Sequence, residues 1–255
     1  MSFREQWVKL NGVDLTSVHD AILLQHIAEH APEIDVKTAE RAGSPGAFVT
    51  SWRPTKREVD IVFAVRERTD FAVRAAAVAA VCAWAQGGGW LTLSSRPGLR
   101  MAVVPSELPA IGKLRDWTQD ITMTLTAYAW PMWEEAEPTE ISLSGASEYT
   151  GTITVGGTCE TRLEATLRCT TTLLRSAEIT VGGQTMTLSG MTVPKGGLLR
   201  IEWDERHLLR IRYGTTGYLA NRTGDDLILT PGTYEYSVTT NATSTVKLWA
   251  RGCWL

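Results

Sequence analysis

The sequence predicts an α+β N-terminal domain, an antiparallel sheet with one main helix near 70–86, followed by an all-β C-terminal β-sandwich. Three observations predict it. Residues 120–130 alternate polar and apolar, with Ile121, Met123, Leu125, Ala127 and Ala129 on one face, the period of a half-buried strand. Residues 70–86 change to helical spacing. From 140 onward the chain carries 22 of its 33 threonines, a β-branched residue that favours the pleated surface, and Gly, Pro and Asn turns divide it into many short segments.

In the first part, residues 58–65 place Val59, Ile61, Phe63 and Val65 on one face of a strand. Asp70 is positioned to cap a helix, Phe71, Val78, Val81, Cys82 and Ala85 recur at helical spacing, and the glycine run 87–89 ends it. Its alanines (Ala75, Ala76, Ala79, Ala80 and Ala83) suggest a face that packs closely against a sheet. Residues 90–93 and 99–104 form two short strands around the turn Arg96-Pro97-Gly98. The strand 117–130 completes this part, and Pro131 stops it because proline has no N–H for the ladder.

In the second part, hairpins are tested by parity, since paired strands put their apolar residues on the same face. A two-residue Gly182-Gly183 loop sets Ile179 opposite Met186 and Ala177 opposite Leu188, and Gly-Gly suits the positive φ of such turns. A three-residue loop at 205–207 pairs Trp203 with Leu209 and Ile201 with Ile211. A loop at 241–243 sets Val238 against Val246 and Tyr236 against Leu248. The boundaries expected are 1–133, a linker 134–139 carrying E-E-A-E-P-T, and 140–255.

The composition narrows function mainly by exclusion. The net charge of −3 gives no electrostatic footprint for nucleic acid or an anionic membrane surface. The segment from 140 onward holds 11 acids and 11 bases, so no basic half is hidden by cancellation. No apolar run of about 18 residues suggests a membrane span, and the first residues lack the apolar stretch of a secretory signal. Cys82, Cys159, Cys169 and Cys253 form no C-x-x-C pair and read as free thiols in a reducing compartment. Asn221 and Asn241 open N-x-T triplets that without secretion are coincidental.

The sharpest enzymatic motif is His26-Ile27-Ala28-Glu29-His30, or H-x-x-E-H. On a helix, His26 and His30 share a face and would ligate zinc with Glu29 as general base. The segment is bounded by Pro32, and no later helix offers a third acidic ligand, so a zinc hydrolase ranks third among the readings. Glycines 87–89 follow a helix and precede a strand, the reverse of a phosphate cradle. No G-x-S-x-G is present, and His19 and His207 have no flanking sequence that nominates a nucleophile. Glu134-Glu135 and Asp225-Asp226 read as solvated charge in a linker and a turn. Among ten tryptophans, Trp203 reads as core, while Trp130, Trp133 and Trp254, at strand or chain ends, read as contact residues. No catalytic, cofactor-binding or metal-ligating residue is nominated, no cofactor is implied, and the chain is not read as an enzyme.

The run R-P-G-L-R at 96–100, E-L-P-A-I at 107–111 and W-T-Q-D-I-T-M-T-L-T-A-Y-A-W-P-M-W at 117–133 resembles the N-terminal domain of siphophage distal tail proteins. The helix ending near Cys82-Ala83-Trp84, the loop Gly43-Ser44-Pro45-Gly46 and the strand 58–65 are similar to elements of that family. D-D-L-I-L-T-P-G-T-Y-E-Y at 225–236 resembles its L-x-P-G-x-N turn, with Thr233-Tyr234 where asparagine is common. The resemblance implies a sandwich-like or barrel-like N-terminal sheet and a C-terminal sandwich of galectin-like or jelly-roll type. It implies a virion structural protein at the tail tip, made in the host cytoplasm from a phage or prophage gene. Its N-terminal domains would form a homo-hexameric ring on the tail tube protein. Its C-terminal domains would dock a hub or lysin protein and a receptor-binding or other baseplate protein, with a host glycan as a further partner. Nucleic-acid sequence recognition and membrane insertion are not implied. The alternative reading is a carbohydrate-binding β-sandwich attached to an α+β domain.

Overall fold

The computed structural model describes residues 6–40, 46–67, 69–109, 121–128, 132–204 and 208–255. The chain is mostly β, with antiparallel sheets and, among the described residues, one α-helix. It divides into two compact units, 1–133 with Leu255 and 134–254.

The first unit contains β1 (Val8–Leu10), β2 (Val13–Asp14), β3 (Ile22–Glu29), β4 (Glu33–Glu40), β5 (Ala47–Val65), α1 (Phe71–Gln86), β6 (Gly89–Leu93), β7 (Leu99–Glu107) and β8 (Ile121–Ala127). The sheet runs β2-β1-β6-β7-β8-β5-β3. The alternating segment is therefore an interior strand. Met123 lies opposite Ile61 and Leu125 opposite Val59 on one side, and β7 pairs on the other. Ile121, Met123, Leu125 and Ala127 are buried with Val59, Ile61, Phe63 and Val65. Trp117, Asp120, Ala129, Trp130 and Pro131 lie outside the described residues, as does most of the 43–46 loop.

Asp70 caps α1, its Oδ1 accepting from the N–H groups of Ala72 at 2.8 Å and Val73 at 3.3 Å. The buried stripe is Ala77, Val78, Val81 and Ala85. Ala76, Ala79 and Ala83 are exposed, as is Phe71, so the alanine face expected against the sheet points to solvent instead. The two valines remove more apolar surface from water than alanines do, and they fix the rotation of the helix. Gly88 ends the helix at φ +60. Asn11 then clamps the exit. Its Nδ2 donates to the Gly88 carbonyl at 3.0 Å and its Oδ1 accepts from Trp90 N at 2.9 Å.

The strand expected at 58–65 is the inner end of the 19-residue β5. β3 and β4 follow one another along the same edge of β5, so the outer part, 47–56 paired with 33–40, forms a two-stranded arm. Register shifts between Glu33 and Ile34 and between Lys37 and Thr38 break the period of two there, which hides the arm from periodicity.

The short β9 (Trp133–Glu135) spans the boundary. The second unit contains β10 (Thr139–Val155), β11 (Thr161–Arg162), β12 (Glu164–Cys169), β13 (Ala177–Val181), β14 (Gln184–Leu188), β15 (Leu199–Trp203), β16 (Leu209–Tyr213), β17 (Thr216–Gly217), β18 (Arg222–Gly224), β19 (Ile228–Leu229), β20 (Gly232–Ala250) and β21 (Cys253–Trp254). β20 pairs with β10 on both sides of a break, through residues 232–239 and 244–250. Its other edge forks: residues 244–249 pair with β12 and residues 236–240 with β13. One arm continues as β12-β15-β16-β17 and the other as β13-β14-β18. Leu167, Ile201 and Ile211 from the first and Ile179, Met186 and Leu188 from the second share one core cluster with Val238 of β20.

The registers expected for Ile179 with Met186, Ala177 with Leu188, Trp203 with Leu209 and Ile201 with Ile211 are all present, with Gly182 and Gly183 at φ +58 and +83. The 205–207 loop lies outside the described residues. The hairpin expected at 241–243 is absent, because this segment is a bend inside β20. Parity could not distinguish the two, since residues an even number apart share a face in either case. Asn241 stabilises the bend. Its Oδ1 accepts from Arg175 N at 2.8 Å and Ser176 N at 3.2 Å, and its Nδ2 donates to the Leu173 carbonyl at 2.9 Å.

Candidate functional site

The H-x-x-E-H motif lies on β3 and its exit, not on a helix. Four residues along a strand span about 13 Å, too far for His26 and His30 to share a zinc ion at about 2 Å each. His30 instead pairs with Asp60, Nε2 to Oδ2 at 2.8 Å, and Asp60 Oδ1 accepts from Thr124 at 2.7 Å. Burial pushes the Asp60 carboxyl up, but the hydrogen bonds from Thr124 and His30 outweigh it and hold its pKa below the ordinary value. Glu29 accepts from Ser95 Oγ and Arg96 Nε, each at 2.6 Å. The zinc hydrolase reading is thereby corrected. Among the described residues no group of three or more His, Cys, Asp or Glu side chains is placed to hold a metal.

The other polar candidates hold backbone in place. Asp225 Oδ2 accepts from Thr185 N at 2.8 Å and Asp226 pairs with Arg222 at 2.6 Å. Glu135 accepts from Gly252 N at 2.9 Å. His19 Nδ1 accepts from Ala21 N at 3.1 Å, and His207 lies outside the described residues. None of the four cysteines forms a disulfide among the described residues, and burial pushes the Cys82 and Cys169 thiols up. Trp133, expected at a contact surface, is 0% exposed, with Arg96 5.5 Å from its ring centre. An aromatic side chain of this size at a strand start removes more apolar area by turning inward. Trp254 is half-buried, and Trp203 packs on the core with its Nε1 donating to the Leu163 carbonyl at 3.3 Å.

Two surfaces remain, one on each unit. The first is the β4–β5 arm. Val36 lies opposite Trp52 and Thr38 opposite Val49, which places Ile34, Val36, Val49 and Trp52 on one side. All are at least half exposed, Val49 and Trp52 at 61%. Asp35 and Arg53, 3.6 Å apart, occupy the other side. Periodicity misses this surface, since its only signal is a tryptophan and valines in a segment without clean alternation.

The second surface is a groove of about 680 Å³ over β10, β20 and β12. Its floor follows three cross-strand rows, with Glu140, Glu164, Thr166, Arg168, Thr245, Lys247 and Trp249 facing it. Trp249 stands between Glu140 and Glu164, Lys247 between Ser142 and Thr166, and Thr245 between Ser144 and Arg168. The Trp249 N–H donates to Glu164 Oε2, whose Oε1 accepts from Trp203 N at 3.2 Å. Lys247 pairs with Glu140 at 2.7 Å. At one end Arg251 donates to the carbonyls of Glu135 at 2.8 Å and Ala136 at 2.6 Å. Sequence reasoning missed this site because its residues come from three strands whose pairing was not foreseen.

The fold is one found in phage tail hub and baseplate proteins. Dit (gp 19.1) of phage SPP1, described as a paradigm of the hub adsorption apparatus in phages infecting Gram-positive hosts, matches with a TM-score of 0.71 at 14% identity, over 99% of this chain and 100% of that one. A chain of the phage P2 baseplate in its activated conformation matches with a TM-score of 0.50 at 9% identity, over 98% of each chain. No family model matches the sequence, and no curated protein is similar to it in sequence. Among the described residues no helix is long and apolar enough to cross a membrane.

Proposed function

We propose that this chain is a non-enzymatic structural component of a phage tail tip, an adaptor that joins the tail tube to the baseplate or receptor-binding apparatus. The observation that carries the reading is the fold match to SPP1 Dit over both chains in full. In this reading residues 1–133 form an α+β ring domain, residues 134–139 a linker and residues 140–255 a galectin-like or jelly-roll sandwich. Six copies close a ring on the tail tube protein, and the C-terminal domains carry a hub or lysin protein and a receptor-binding protein in the virion.

The arm supports the assembly. A two-stranded ribbon is marginally stable alone, and four large apolar side chains exposed together on one side form a contiguous patch of the kind that marks an interaction surface. Ring closure requires heterologous contacts of this kind, with an arm on one copy meeting a different surface on the next.

Negative-stain imaging with light scattering tests the reading. Rings of six, alone or once a tube partner is added, are expected. A strictly monomeric protein that binds neither tube nor baseplate proteins overturns it.

A further inference from the structure

The groove over β10, β20 and β12 has the wrong shape and lining for a protein docking surface. Protein interfaces are broadly flat, with cores depleted in Lys, Glu and Ser. This surface is concave, its volume falls within the range of small-molecule sites, and polar side chains converge around one aromatic residue. Trp249 is held in place from both sides. Its backbone sits between β10 and β12, and its N–H is committed to Glu164. What the indole has left to offer is its ring face, whose negative quadrupole attracts polarised C–H groups.

The polar groups fall into two sets. Glu140, Lys247 and Glu164 are engaged with one another or with Trp203 and Trp249. The side chains of Thr166, Thr245 and Arg168 line the groove with no hydrogen bond or ion pair to other described residues. They lie beside Trp249 along two successive rows of the same face. A ligand that fits has one apolar C–H face and a rim of hydroxyls that both donate and accept. A pyranose ring has that form.

We propose that this groove is a saccharide-binding site, with a neutral hexopyranose stacked on Trp249 and its hydroxyls held by Arg168, Thr166 and Thr245. The charges fit a neutral ligand. The carboxylates Glu140 and Glu164 face Lys247 and Arg168, and the third base, Arg251, stands at one end with its guanidinium on the Glu135 and Ala136 carbonyls and 3.9 Å from Glu134, so no strong field of either sign dominates the centre. The inference concerns the second unit alone and stands or falls independently of ring assembly.

The test is calorimetric titration of the full chain with maltopentaose, cellopentaose, chitopentaose and lactose, followed in parallel by tryptophan fluorescence. At least one is expected to bind saturably with a Kd of roughly 1 mM, corresponding to about −4 kcal/mol. Trp249→Ala is expected to weaken that binding at least tenfold. Arg168→Ala and Thr166→Val, both outside the apolar core cluster, are expected to weaken it several-fold while the protein still unfolds cooperatively. Absence of saturable binding by all four at about ten times that Kd overturns the proposal. So does binding that survives all three substitutions.

Discussion

The Glu29 carboxylate grips Arg96 across the first unit, Oε2 to Nε at 2.6 Å, while its other oxygen accepts from Ser95. The acid that a helical H-x-x-E-H would use as a base thus fastens β3 to the turn after β6. Arg96 in turn lies over the buried Trp133 ring. One ion pair therefore connects a strand, a turn and a core aromatic.

Glu29→Ala should lower unfolding free energy by about 1–2 kcal/mol, because it removes two hydrogen bonds to a charged group that is only partly exposed. Urea denaturation measures this. Added zinc should leave the midpoint of both proteins unchanged, and a zinc-dependent rise in the natural protein alone would restore the metal reading.

Asp60 should give the first unit a distinct acid sensitivity. Its folded pKa is depressed, net of burial, by hydrogen bonds from Thr124 and His30. A depressed carboxyl contributes stability that is present above its ordinary value of 3.8 and is lost as pH falls through the folded pKa. The gap in stability between the natural protein and Asp60→Asn should therefore be constant through mildly acidic pH and shrink only below that value. A gap that already closes well above that value would show that the Asp60 carboxyl is not held down in the folded state.

Elements with a single clean period were legible from sequence: β8 and the inner half of β5 by alternation, α1 by its Asp70 cap and glycine exit, and the Gly182-Gly183 hairpin by parity. The misses share a physical cause. The rotation of α1 depends on which apolar stripe buries more area, and the five alanines pointed to a different face from the one that Val78 and Val81 bury. The bend at Asn241 has the same parity as a hairpin loop, and only the hydrogen bonds of its amide to 173–176 distinguish them. The groove depends on β20 pairing with both β10 and β12, a long-range fact with no local sign.

Asn11 should be more costly to lose than a surface asparagine usually is. It sits at φ +51 and serves both sides of the helix exit. Asn11→Ala should cost about 2 kcal/mol, combining two lost hydrogen bonds with strain at a positive φ. Gly89→Ala meets the same side chain, since an added Cβ would approach Asn11 Oδ1 to 2.1 Å. The double variant should therefore be less destabilised than the sum of the two singles, because removing the amide also removes the clash. Additive losses in thermal unfolding would show that the two sites are independent.

The arm separates assembly from folding. Ile34, Val36, Val49 and Trp52 contribute little to either core while exposed, so changing one should hardly alter the stability of the monomer. If the same side is buried in a ring, a charge placed there must be desolvated against apolar neighbours. Trp52→Lys should therefore reduce the ring population at least tenfold in sedimentation, while unfolding free energy stays within about 0.5 kcal/mol. Ser51→Lys, on the opposite side of the same arm, is the matched control and should leave assembly intact. Rings that persist in Trp52→Lys would remove the arm from the interface without touching the ring itself. Loss in both variants would point to net charge on the arm, and not to its apolar side, as what governs association.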